Sequence, residues 1–183
     1  MQRPVLLIRA RDLQLVTALL VDLAQKHVED FESLWRSSLQ AFAQEDKYWD
    51  WLFKKRLSLS NENFESYALE CDGKTQGLMT VETQRHRSQV LPGERIVYIV
   101  ALATAPWNRR SIRQPPEFKA VGTALLLYAR QRSVELGYAG RVGLHALPEA
   151  ERFYERQNMA NYGADEEQEN LTYFEYPPLQ RFL

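Results

Sequence analysis

Apolar positions recur along the chain in two rhythms. Residues 4–10 form a short apolar run that predicts a first strand. Asp12 is placed to cap a helix start, and Leu13, Val16, Leu19, Leu20 and Leu23 fall at helical spacing, predicting a helix over 13–26. The same rhythm returns over 30–43 through Phe31, Leu34, Trp35, Leu39 and Phe42. Asp46 would cap a third helix carrying Tyr48, Trp49, Leu52 and Phe53. From Phe64 the rhythm becomes that of strands. Residues 67–71 and 74–82 flank Asp72-Gly73, a pair suited to the positive φ of a tight hairpin turn. After a polar turn at 85–93, residues 94–104 read as a long strand rich in Ile, Val and Tyr, covered on both faces. A basic, proline-bearing loop over 105–118 leads to a helix over 121–136, which Gly137 ends. A strand over 140–146, a short helix over 148–157, an acidic solvated loop over 164–170 and a last strand over 171–176 complete the chain.

This order of elements, with a strand–helix–strand crossover near the end, predicts an α/β mixed sheet with helices on both faces. At 183 residues the chain fits one domain, 1–183. Composition narrows the function classes. Twenty-three Lys and Arg stand against 24 Asp and Glu, a net charge of −1, so bulk binding to nucleic acid is not expected. No apolar run approaches the ~20 residues that a bilayer requires. Val5 to Ile8 is too short for a secretory leader and is closed by Arg9. With one cysteine, Cys71, neither an internal disulfide nor a cysteine zinc site is available, and a reduced, cytoplasmic setting is expected. The three histidines, His27, His86 and His145, have no ligand spacing, so no metal is expected. Three of the four tryptophans lie within 35–51, where core packing is favoured over the wall of a pocket.

The segment that bears on chemistry runs from Tyr98 to Tyr154. Lys119-Ala120-Val121-Gly122-Thr123-Ala124 opens the long helix, with small residues where a ligand could approach the backbone. Unpaired N–H groups and the helix dipole suit this turn to phosphate, and Lys119, Arg109 and Arg110 add charge. Close packing of helix on sheet explains the same small residues equally well. Neither a Walker loop nor a Gly-x-Gly-x-x-Gly run is present.

Lys119-x-x-Gly122-x-Ala124 resembles the Gln/Arg-x-x-Gly-x-Gly/Ala signature of the Gcn5-related N-acetyltransferase (GNAT) superfamily. Ala150-Glu151-Arg152-Phe153-Tyr154-Glu155-Arg156 is similar to that family's Ala-x-x-Phe-Tyr-Glu-Lys helix. Lys119 departs from Gln/Arg, Leu147-Pro148-Glu149 stands where an Asn is frequent, and Asn158-Met159 replaces Gly-Phe. The resemblance implies a mixed, mostly antiparallel sheet of six to seven strands, with the fourth and fifth strands splayed. It also implies acetyl-CoA as co-substrate. Backbone groups of Leu102, Ala103 and Thr104 would bond the pantetheine arm. Amides from Ala120 through Val121, Gly122 and Thr123 to Ala124 would hold the diphosphate, aided by Lys119 and Arg109. An amine acceptor on a small molecule or peptide would attack the thioester directly. A CoA-binding module with little or no transfer activity is the alternative.

Tyr154 matches the family's usual general acid, and a phenol is protonated at neutral pH. The base is open between Glu94, Glu82, His145 and water. His145 is a candidate because a histidine side chain can relay protons, and Tyr98 could orient substrate or water. The apolar tail, Leu179, Phe182 and Leu183, would dock on its own domain or on a second subunit in a homodimer.

Overall fold

Leu7, Ala18 and Leu20 are buried, whereas Leu6, Leu15 and Leu19 are exposed. This is the period-two pattern of a strand pair covered on one face. In the computed structural model, which describes residues 1–177, strand β1 (Gln2–Arg9) pairs antiparallel with β2 (Leu15–Asp22), from Gln2↔Val21 to Ile8↔Leu15. The helix predicted over 13–26 is therefore a strand. Asp12 makes a turn instead of a cap: its Oδ1 accepts from the Gln14 amide at 3.2 Å, and Leu13 turns left-handed at φ 59°. The apolar positions there fit both periods, and pairing with β1 and β3 (Phe64–Cys71) decides between them. The tail residues Leu179, Phe182 and Leu183, and the docking read into them, lie outside the described residues.

Among the described residues, nine strands, numbered in chain order, form one mixed, mostly antiparallel sheet in the order β6 (Phe118–Lys119), β1, β2, β3, β4 (Lys74–Glu82), β5 (Val97–Thr104), β7 (Val142–Ala146), β9 (Leu171–Tyr176) and β8 (Ala160–Asp165). The three beyond the six read from the sequence are β2, the two-residue β6 (Phe118–Lys119) and β8 (Ala160–Asp165). Strand β8 is bulged between Asn161 and Ala164, which hides its alternation. The described residues divide into two compact units, residues 1–80 with 101–126, and residues 81–100 with those from 127 on; β4 (Lys74–Glu82) and β5 (Val97–Thr104) contribute to each.

In the first unit, Asp72 (φ 52°) and Gly73 (φ 73°) make the tight β3–β4 turn that the sequence predicts. Helix α1 (Gln25–Asp30) passes through a wider π-helical turn, Phe31–Trp35, into α2 (Arg36–Ala41). That turn buries both Phe31 and Trp35, whose rings meet at 5.5 Å. They join Val28, Leu39, Trp51, Leu78, Ala101 and Ala103 in the core, so the tryptophan-rich segment packs as core. Helix α3 (Trp51–Ser60) is capped by Asp50, whose Oδ1 accepts from the Phe53 amide at 2.8 Å. Asp46, predicted as that cap, lies in a 3-10 turn and binds Arg109. His27 is buried within α1, and its Nδ1 accepts from the Ala24 amide at 2.8 Å.

In the second unit, β7 (Val142–Ala146) runs parallel to β5, with register Val97↔Val142 and Tyr98↔Gly143. Pairing thus sits at the starts of the two strands, which are the pair expected to splay. Strand β7 also pairs antiparallel with β9 (Leu171–Tyr176), which pairs with β8. Strand β5 alternates between buried and more open positions, so it is not equally covered on both faces as predicted.

Candidate active site

Helix α4 (Val121–Glu135) begins where the sequence predicts. Ala120 turns the chain out of β6 at φ 69° and is exposed. The Ala124 amide is the first in the helical ladder, bonding the Ala120 carbonyl at 2.8 Å. The amides of Val121, Gly122 and Thr123 precede it, in the turn where a helix presents N–H groups without helical acceptors. Gly77 on β4 sets this turn close to the strand. A Cβ there would lie 2.9 Å from both Val121 Cγ1 and Leu125 Cδ1, and 3.4 Å from the Ala103 carbonyl. In the same unit, Leu102 and Thr104 are half-buried, between the buried Ala101, Ala103 and Ala105. Among the described residues, β7 pairs with β5 at Val97 and Tyr98, and residues 101–104 lie past that paired stretch of the β5 edge. An incoming amide could pair with that edge as an added strand would.

The basic loop is tied down by neighbours that the sequence did not suggest. The fully buried Gln76 accepts at Oε1 from Trp107 Nε1 at 2.8 Å and from Asn108 Nδ2 at 2.9 Å. Asn108 Oδ1 in turn accepts from the Phe118 amide at 2.9 Å, one residue before Lys119. Arg109 spends its guanidinium within the protein. It donates to both Asp46 oxygens at 2.8 and 2.5 Å, to Gln44 Oε1 at 3.2 Å and, through Nε, to the Thr104 carbonyl at 2.9 Å. Lys119 is half-buried and Arg110 exposed.

The second unit gathers the titratable groups. Tyr98 on β5 hydrogen-bonds His145 Nδ1 on β7 at 2.8 Å, and His145 Nε2 meets Asp165 Oδ2 at 2.9 Å. A carboxylate can only accept, so Asp165 keeps the proton on Nε2 and leaves neutral His145 an acceptor at Nδ1. Burial pushes the Tyr98 hydroxyl up to about 12, against the opposing effect of its bond to His145. The bond from His145 holds the Asp165 carboxyl below its ordinary value. The His86 ring stacks on Tyr98 with centroids 3.9 Å apart, and His86 Nε2 lies 3.2 Å from Glu82 Oε1. Behind His145 stands Tyr173, at 5.0 Å between rings, which donates to the buried Glu175 at 2.6 Å. Ser88 Oγ and the Gln89 amide also donate to Glu175, at 2.5 and 3.2 Å.

The other two proposed catalytic groups stand apart from this chain of bonds. Glu94 precedes β5 and pairs with Arg141. Tyr154 on α5 (Glu151–Arg156) is buried, its ring 5.0 Å from Phe153 and 5.8 Å from Phe174, and burial pushes its hydroxyl well up. Sequence reasoning named His145 and Tyr98, which the structure brings into hydrogen bond, and did not single out Asp165, whose acidic stretch it read as a solvated loop. No cluster of three metal-ligating side chains occurs among the described residues.

No protein-family model matches the chain. No curated protein matches it either. Solved structures do. The PaiA N-acetyltransferase from Thermoplasma acidophilum, in complex with coenzyme A, is 14% identical with a TM-score of 0.60, over 87% of this chain and 98% of that one. The GNAT domain of S. lividans PAT is 13% identical with a TM-score of 0.60, over 96% of each chain. NAA60 of Arabidopsis thaliana, in complex with acetyl-CoA, is 15% identical with a TM-score of 0.55, over 87% and 98%. At such identities the likeness is one of fold, and it extends over most of each chain.

Proposed function

We propose that this chain, which has the fold of the Gcn5-related N-acetyltransferases, moves an acetyl group from acetyl-CoA to a primary amine of a small molecule or peptide. The observation that carries the reading is the start of α4. There a left-handed Ala120 is followed by three first-turn amides ahead of the helical ladder, beside the stretch of β5 that lies past its register with β7. A diphosphate is recognised by such N–H groups, and a pantetheine arm by such an edge. The PaiA structure with coenzyme A and the NAA60 structure with acetyl-CoA support the same co-substrate. A single, buried cysteine fits a reducing, cytoplasmic setting.

In the reaction the amine nitrogen attacks the thioester carbonyl, the N–C bond forms and the C–S bond breaks. The amine must lose a proton and the departing sulfur must gain one. Tyr154 is the proposed donor, since burial keeps its hydroxyl protonated at neutral pH. His145 is favoured as acceptor over Glu94, whose carboxylate is engaged by Arg141.

A thermal-shift titration with coenzyme A, followed by an amine panel assayed for thiol release, tests this reading. Coenzyme A at 100 times its dissociation constant should add ~2.7 kcal/mol of stability. Gly122→Glu should abolish that gain by placing bulk and negative charge against the diphosphate. An unaltered affinity in the variant would remove the assignment of this turn. Binding of coenzyme A with no thiol released from acetyl-CoA in the presence of any amine of the panel would favour the CoA-binding module.

A further inference from the structure

The hydrogen bonds among Tyr98, His145 and Asp165 are directional. Asp165 accepts from Nε2–H, so Nδ1 of neutral His145 offers a lone pair, and the Tyr98 hydroxyl at 2.8 Å is its donor. Both ring nitrogens of His145 are thus occupied, Nδ1 by the Tyr98 hydroxyl and Nε2 by the Asp165 carboxylate, and its side chain is only 7% exposed. A proton from outside therefore reaches Nδ1 by way of Tyr98 Oη.

We infer that Tyr98 Oη is the atom that takes the proton from the attacking amine, passing its own proton to His145 Nδ1 while Asp165 positions the imidazole. The inference rests on the transferase reading above. The N–C bond forms as N–H breaks toward Tyr98 Oη; O–H breaks toward Nδ1; the resulting imidazolium keeps its Nε2 proton against the Asp165 carboxylate. The leaving sulfur is protonated separately, and His145 returns its extra proton to Tyr98 and thence to water. Tyr98 is then the catalytic residue, and Asp165 acts through His145 as a positioning residue.

The surroundings support a cationic intermediate. Besides Asp165, the titratable groups facing this chain are Tyr173 on β9, which meets the His145 ring, and His86 with Glu82 on the far side of Tyr98. Glu175 lies behind Tyr173 and is already satisfied by three donors. Gln89 Nε2 donates to Asp165 Oδ2 at 3.3 Å, fixing the carboxylate that faces Nε2.

The test is the pH dependence of kcat/KM with one amine, in the wild type and four variants. Tyr98→Phe and His145→Gln should each lower kcat about 100-fold, with the KM for acetyl-CoA within about threefold. The double variant should fall no further than the worse single one, as residues acting as a unit do. Asp165→Asn removes the charge that favours imidazolium, so its acid limb should move to lower pH and its plateau drop about tenfold. Asp165→Glu should restore much of the plateau. Thermal unfolding and the coenzyme A shift report whether each variant folds, and Tyr98→Phe, which loses only a hydroxyl, carries the test if Asp165→Asn does not. Losses that multiply in the double variant, a Tyr98→Phe enzyme at full rate, or an acid limb left in place in Asp165→Asn overturn the relay and leave the transferase reading standing. A wild type that binds coenzyme A yet releases thiol with no amine overturns the transferase reading and the relay with it.

Discussion

Gly143 shows how tightly the residues around His145 are fitted. A Cβ at this position would meet Tyr173 Oη at 2.5 Å and Ile96 Cδ1 at 2.8 Å. The Tyr173 hydroxyl cannot yield cheaply, because it is bonded to the buried Glu175. Gly143→Ala should therefore cost ~1–3 kcal/mol, read as a lower midpoint in denaturant unfolding. A midpoint equal to the wild type would mean that the ring moves freely. At this scale the sequence was partly legible. His145 and Tyr98 lie on apolar strands, where a titratable or hydroxylated side chain is noticeable. Asp165 lies 20 residues from His145 in a run of acidic neighbours, and its role arises from the pairing of β8 with β9. Nothing local distinguishes it from Glu166 or Glu167.

Among elements, the tie between the loop after β5 and the turn before α3 is the most consequential contact. The Arg109 and Asp46 side chains are 15% and 6% exposed. Removing one member of such a pair strands the other charge away from water, so Asp46→Ala should lose ~3–5 kcal/mol in chemical denaturation. A double variant with Arg109→Leu should recover part of that loss, and a double variant as unstable as Asp46→Ala would refute the stranded charge as the cause. The partners are 63 residues apart, so the basic loop was legible while its counter-charge was not. Helix α4 and the β3–β4 hairpin were readable because Gly137, Asp72 and Gly73 mark their ends by backbone conformation. Strand β2 was not, because both of its faces carry apolar residues, with Leu15 and Leu19 exposed and Ala18 and Leu20 buried, so a helical subset can be drawn from the same run. Only its partners β1 and β3 settle the matter.

For the whole molecule, acid should be more damaging than mild base. Burial alone would push the Glu70 carboxyl up, but hydrogen bonds from Lys26 and His27 hold it below its ordinary value, and His145 does the same for Asp165. Folded-state values below the unfolded ones give stability that is complete above ~4, the ordinary carboxylate value, and lost as pH falls through the lower folded values. Denaturant midpoints should thus decline below about pH 4. Asp165→Asn should lower the midpoint at neutral pH and shrink the acid decline; an unchanged decline would detach it from that bond. The Arg109–Asp46 pair also bears on how this protein responds to ionic strength. A guanidinium already neutralised by a carboxylate contributes little net field, so a diphosphate at the start of α4 would be held chiefly by uncharged main-chain dipoles. Such contacts are short-ranged and weakly screened compared with exposed charges. Coenzyme A affinity should accordingly change less than about threefold between 50 and 300 mM salt, measured by calorimetry. A steep fall would transfer the work to Lys119 and Arg110.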